Sequence, residues 1–195
     1  FNVSLTVTNT NGSNTKNMPN YITAGFPPVA NFVANGSTTI QVGSTLAFTD
    51  QSTGNIDSWA WTFEGGFPGT SNVQNPTNIF YNNAGLFDVS LTVTNAFGSN
   101  TKLTADMVNA GNAPVADFSS THQAFVDRVD YQFTDISTNN PTSWSWSLPG
   151  GNPSTSTAQN PVVSYTVDGT YNVSLTATNV YGSGNVIKTG YVVIN

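Results

Sequence analysis

Phe87-Asp88-Val89-Ser90-Leu91-Thr92-Val93-Thr94-Asn95 decides how this chain folds. From Phe87 to Thr94 its odd positions are apolar and its even positions polar. Strict alternation of this kind marks a strand with one face in a core and the other in water. The phrase occurs twice more, as Phe-Asn-Val-Ser-Leu-Thr-Val-Thr-Asn at Phe1–Asn9 and as Tyr-Asn-Val-Ser-Leu-Thr-Ala-Thr-Asn at Tyr171–Asn179. The copies begin at Phe1, Phe87 and Tyr171, so their spacing is nearly constant. Self-similarity at a fixed period signals an array of equivalent units.

The repetition extends outward from that strand. Pro28-Val29-Ala30-Asn31-Phe32 matches Pro114-Val115-Ala116-Asp117-Phe118, and Phe48-Thr49-Asp50 matches Phe133-Thr134-Asp135. Trp59-Ala60-Trp61 matches Trp144-Ser145-Trp146, and Asn75-Pro76 matches Asn160-Pro161. Residues 26–111 and 112–195 are therefore expected to be two complete units. Residues 1–25 match only 87–111 and read as the closing hairpin of a further unit. An enzyme needs one asymmetric site, whereas near-copies of one element suit a stalk, a spacer or an adhesive surface.

Composition narrows the function further. Of 195 residues only 7% are charged, and the net charge is −6. Lys16, Lys102, Arg128 and Lys188 are the only strong cations, and they are scattered. Nucleic-acid binding needs a basic stripe that displaces counterions, so it is not expected. No apolar run approaches the roughly 20 residues that span a bilayer, so no membrane insertion is expected in this segment. There is no cysteine, so each core must hold without a disulfide. Each unit of about 85 residues is long enough for one modest core.

Further alternation supports short strands. Leu46 and Phe48 share one face, as do Trp59, Trp61 and Phe63. No window carries the period of a long amphipathic helix. Short strands parted by Gly, Pro and Asn point to sandwiches of two antiparallel sheets. The turns Asn95-Ala96-Phe97-Gly98 and Asn179-Val180-Tyr181-Gly182 are expected to close hairpins, with Asn tolerating the left-handed region and Gly supplying positive φ. Proline in the Gly25–Pro28 and Ala110–Pro114 joints predicts semi-rigid links between units.

These residues resemble the PKD (polycystic kidney disease) domain, an immunoglobulin-like β-sandwich. The family's Pro-x-Ala-x-Phe opening appears at Pro28–Phe32 and Pro114–Phe118. Its closing Gly-x-Tyr-x-Val-x-Leu-Thr-Val-Thr-Asn-x-x-Gly pattern is matched at Gly85–Gly98 and Gly169–Gly182. The acidic Gly-Asp-Gly turn of the family is replaced by Glu64-Gly65-Gly66 and by Pro149-Gly150-Gly151. The resemblance implies an all-β chain of tandem immunoglobulin-like PKD β-sandwiches. Its Gly-Gly-x-Pro variant is similar to units in large exported proteins of Bacteroidetes-type bacteria. On that basis the expected role is a non-catalytic repeat segment of a long bacterial cell-surface adhesin, stalk or filament, outside the cell. The alternative is a spacer or substrate-docking module of a secreted polysaccharidase or protease. Expected partners are neighbouring repeats, through self-association into filaments, and surface polysaccharide.

Most individual candidates have a plain structural role beside the chemical one. Catalysis lacks a base: His122 is the only histidine, and Glu64 becomes Pro149 in the next unit. Asp50, Asn55 and Asp57 are a candidate weak calcium site, since calcium takes hard oxygen ligands. The competing reading has Asp50 and Asp135 capping a turn through nearby backbone N–H groups. Trp59, Trp61, Trp144 and Trp146 are expected in the core rather than on a sugar-stacking platform. Phe67 is either an exposed contact residue or a lid on the sandwich end. The hairpin of residues 1–25 carries an apolar face (Phe1, Val3, Leu5, Val7) that something must cover, because a lone hairpin is marginal in water.

Overall fold

The computed structural model describes residues 1–195, and every regular element is a β-strand. The chain divides into two compact units, one of Phe1–Gly36, Thr45–Ile79 and Asp88–Asp106 and one of Ser37–Ser44, Phe80–Phe87 and Met107–Asn195.

The amino-terminal hairpin pairs Val3–Asn9 antiparallel with Gly12–Met18, from Val3 opposite Met18 to Asn9 opposite Gly12. The two strands form a sheet of their own. The first full sequence repeat has a five-stranded sheet in the order Thr39–Gln41, Gly98–Gly111, Gly85–Asn95, Ser58–Phe63, Thr70–Ser71. Its remaining strands form a three-stranded sheet (Ser44–Leu46, Ile79–Tyr81, Gly66–Phe67) and a two-stranded one (Phe32–Ala34, Phe48–Asp50). The second repeat has two four-stranded sheets. One runs Thr155–Ser156, Ser143–Ser147, Gly169–Asn179, Gly182–Ile194, and the other runs Phe118–Ala124, Val129–Asp135, Val162–Tyr165, Gly151–Asn152. The architecture is all-β, with sheets stacked as sandwiches.

The alternation read from the sequence sets the register. Val89, Leu91 and Val93 face Phe63, Trp61 and Trp59 across the antiparallel pair, and the three aliphatic side chains are fully buried. Val173, Leu175 and Ala177 are buried likewise, with Leu175 opposite Trp146 and Ala177 opposite Trp144. The cores are aromatic. Phe32 meets Trp61 edge-on at 5.2 Å between centroids, and Phe118 meets Trp146 the same way at 5.2 Å. Each large ring withdraws about 150–250 Å² from water, which is what a core without disulfides needs.

The four tryptophans divide by depth. Trp61 and Trp146 are buried, and their indole N–H groups donate to the Val73 and Ala158 carbonyls at 3.0 and 2.9 Å. Trp59 and Trp144 are only half-buried. They share the inward face one residue in from the start of each strand, and the indole N–H of each donates to an aspartate. Replacing Trp146 by alanine is expected to cost about 3–5 kcal/mol, read from urea unfolding of the second repeat. A loss below about 1 kcal/mol would refute its place at the centre of that core.

Candidate functional site

Each repeat carries the same brace around one carboxylate. Asp50 ends the Phe48–Asp50 strand and accepts from the Ser52 backbone N–H at 2.9 Å through Oδ1. Its Oδ2 accepts from the Trp59 indole N–H at 2.7 Å and the Gln74 side-chain amide at 3.2 Å. Asp135 repeats this with Ser137 at 3.0 Å, Trp144 at 2.8 Å and Gln159 at 3.2 Å. The next residue of the crossover adds a bond in the other direction: the Asn75 and Asn160 side-chain oxygens accept from the Asp50 and Asp135 backbone N–H groups at 2.9 and 2.8 Å. Pro76 and Pro161 are buried, and their carbonyls accept from Phe48 and Phe133. A Gln-Asn-Pro crossover is thereby fastened to the strand before it and, through the carboxylate, to the tryptophan strand.

The electrostatics follow from those donors. Burial pushes both carboxyls up. Donation from Ser52, Trp59 and Gln74, and from Ser137, Trp144 and Gln159, together outweighs it, so both lie below their usual 3.8. Asp117 is also lowered, first by its bond from Lys188, whose ammonium lies 2.7 Å from Oδ1. Tyr81 and Tyr165 move the opposite way. Burial raises each phenol to about 12, and no protein group meets either hydroxyl.

The turn residues act differently from the sequence expectation. Gly98 and Gly182 do take positive φ, at 141° and 147°. Asn95 and Asn179 are not left-handed; they work as side-chain acceptors instead. Their Oδ1 atoms take the backbone N–H of Phe97 and Tyr181, each at 2.9 Å. Their amides donate to the carbonyls of Phe26 and Asn112 at 3.0 and 2.9 Å. Beside these turns the Phe97 and Tyr181 rings lie so close over Gly25 and Gly111 that a Cβ at either glycine would overlap the ring.

The remaining candidates do not converge. Asn55 and Asp57 are exposed, and no three of the His, Asp and Glu side chains form a metal-holding group. His122 is exposed and stacks on Tyr131 at 5.1 Å. Glu64 accepts from the Asp88 backbone N–H at 3.1 Å. Phe67 is 76% exposed on the Gly66–Phe67 strand. No helix is long and apolar enough to cross a membrane.

Sequence reasoning missed Gln74 and Gln159, because glutamine before Asn-Pro reads as ordinary polar surface; their recurrence at the same offset from the aspartate was the available signal. It also missed a side-chain clamp on a left-handed residue in each closing hairpin. Asn20, Asp106 and Gly190 take φ of 54°, 50° and 60°. Their N–H groups donate to the side chains of Asn2, Asp88 and Asn172, each at 2.8 Å.

A folded pKa below the unfolded one makes the brace stabilising above about pH 4, and this share is lost as pH falls through the folded value. The urea midpoint is expected to drop as pH is lowered from 5 to 2. Asp135→Asn should cost about 1–3 kcal/mol at neutral pH and make that pH dependence shallower; an unchanged profile in the Asp50→Asn, Asp135→Asn double variant would count against the brace. Because the Asp50 oxygens already face N–H donors, adding millimolar calcium or a chelator should leave the thermal midpoint in place. A rise on calcium addition would restore Asp50, Asn55 and Asp57 as a metal site.

Residues 30–107 match a family model described as PKD domain, and residues 111–194 match a second model with the same description. No curated protein matches the chain. Among solved structures it is similar to the amphioxus IgVJ-C2 molecule, at 12% identity over 79% of this chain and 99% of that one, with a TM-score of 0.39. It is also similar to the FN1–FN3 domains of chicken CNTN1, at 11% identity over 96% of this chain and 74% of that one, with a TM-score of 0.37. Two matched stretches that together cover most of its length place the chain in the PKD domain family, as a tandem pair of its units.

Proposed function

We propose that this chain is a non-catalytic repeat segment of a bacterial cell-surface adhesin, stalk or filament protein, working outside the cell. One observation carries the reading. What the two repeats share is structural: the Asp–Trp–Gln–Ser brace, the Gln-Asn-Pro crossover and the buried Trp61 and Trp146. The side chains able to do chemistry are the ones that change, with Glu64 becoming Pro149 and Asp57 becoming Thr142. A catalytic site would invert that distribution. Tandem PKD units are consistent with a non-catalytic role.

The mechanism is mechanical. Each repeat builds its own core, and each brace ties a crossover to the central strands, so length is added without adding a reactive group. Exposed Ser, Thr and Asn along the strands offer many weak polar contacts to neighbouring repeats or to surface polysaccharide. A docking module for a secreted polysaccharidase or protease would rest on exposed Phe67, and the second repeat has Asn152 there.

The test is to capture the native parent protein with an antibody to residues 27–195, measure its intact mass and sequence its peptides. The expected result is a large chain with further units at this spacing and no hydrolase domain. A moderate chain carrying a hydrolase domain would overturn the reading.

A further inference from the structure

We infer that the amino-terminal hairpin presents a preformed half-interface, and that its occupant is the front part of a PKD unit, bearing an Ala-(Asn/Asp)-Phe strand and a Trp-x-Trp-x-Phe strand. Residues 1–25 are for the most part identical to their counterparts in 87–111, and the local structure is the same to the level of side chains. Thr6 and Thr15 bond through their hydroxyls at 2.8 Å, as Thr92 and Thr101 do at 2.7 Å. Asn9 accepts from Asn11 as Asn95 does from Phe97. The left-handed Asn20 is held by the Asn2 side chain as the left-handed Asp106 is by Asp88.

Only the surroundings differ. In the full repeat the outer edge of Gly85–Asn95 pairs with Ser58–Phe63, and Val89, Leu91 and Val93 are fully buried. In the hairpin the outer edge of Val3–Asn9 has no strand beside it. Leu5 and Val7, the counterparts of Leu91 and Val93, are 64% and 60% exposed. A row of open backbone groups above an apolar face is a template for strand addition.

The second strand of the hairpin identifies the rest of the occupant. Asn100 accepts from the Ala30 backbone N–H at 2.9 Å. Lys102 donates to Asn31 at 2.6 Å and lies 5.1 Å from the centre of the Phe32 ring. Lys188 makes the same kind of contact with Asp117 and the Phe118 ring. Asn14 and Lys16 are the counterparts of Asn100 and Lys102, and both are exposed. An oxygen-bearing side chain next to phenylalanine would satisfy the lysine twice, once by charge and once through the ring face. Both sets of contacts call for residues from the same stretch, the equivalents of 30–63. This holds whether or not the parent protein is an adhesin.

Because Phe1 is the counterpart of Phe87, a copy of residues 27–86 joined ahead of Phe1 in the full chain supplies both strands in register. Hydrogen exchange should then show slow amides in the copied Ser58–Phe63 strand and along Val3–Asn9, with a third step in urea unfolding. Leu5→Asp in that graft should remove the new protection and leave Ser143–Ser147 unchanged. A graft of residues 27–111, which brings its own hairpin, is the folding control. The inference fails if the control folds while the 27–86 graft exchanges at unfolded rates, or if the graft stays protected with Leu5→Asp. It fails equally if the unmodified chain sediments as a dimer that Leu5→Asp abolishes, because a second copy then covers the face.

Discussion

Three separate segments meet at one carboxylate in each repeat, and the sandwich is organised around that meeting. Asp50 belongs to a strand of one sheet, Trp59 to a strand of a different sheet, and Gln74 to the crossover leading back. A half-buried charge is costly unless it is bonded. Here each donor would lose an acceptor if the carboxylate were removed, and the carboxylate would lose its compensation if the donors were. Such mutual dependence fixes one arrangement of sheets more sharply than apolar packing alone, which tolerates sliding among similar shapes. The same brace in Asp135, Trp144 and Gln159 survives although the neighbouring loop changes from Glu64-Gly65-Gly66 to Pro149-Gly150-Gly151.

The polar groups that remain serve geometry as well. Asn95 and Asn179 hold the tip of the closing hairpin to the start of the same repeat. Lys102 and Lys188 reach the first strand of their repeat through an oxygen and a ring together. A side chain occupied in this way is not free to act on a substrate. With so few charges available, the chain places several of them inside struts.

Much of this was legible in the sequence. Period-two alternation located the strands, because burial on one face of a sheet leaves a mark on every second residue, and Trp61 and Trp146 are as deep as that pattern requires. Depth along a strand leaves no such mark, so Trp59 and Trp144 read the same as Trp61 and Trp146 although they are only half-buried. The glutamines of the brace were invisible for another reason: an exposed amide and a bracing amide have the same composition, and only the fold brings Gln74 to Asp50. The left-handed position at Asn20, Asp106 and Gly190 was hidden by its three different residue types, which share a backbone conformation and no side-chain chemistry. The turn asparagines were found, but their chemistry was misread, since Asn serves equally as a left-handed residue and as a local acceptor.

Near-identity between closing hairpins has a kinetic consequence. A hairpin closes within microseconds, long before distant strands find one another. When the strand containing Trp61 searches for its partner, Leu91 lies ahead of it and Leu5 lies behind, nearly twice as far along the chain. Doubling the length of a loop raises the cost of closing it by only about 0.6 kcal/mol, so chain entropy alone barely separates the right hairpin from its near-copy. Refolding of a tandem array of this kind is therefore expected to include mispaired species that must reopen. On a ribosome the earlier hairpin also emerges first. The copies differ at the turn, where Asn11 stands in place of Phe97, and beyond Lys16, and those differences are what is left to sort each strand to its own hairpin.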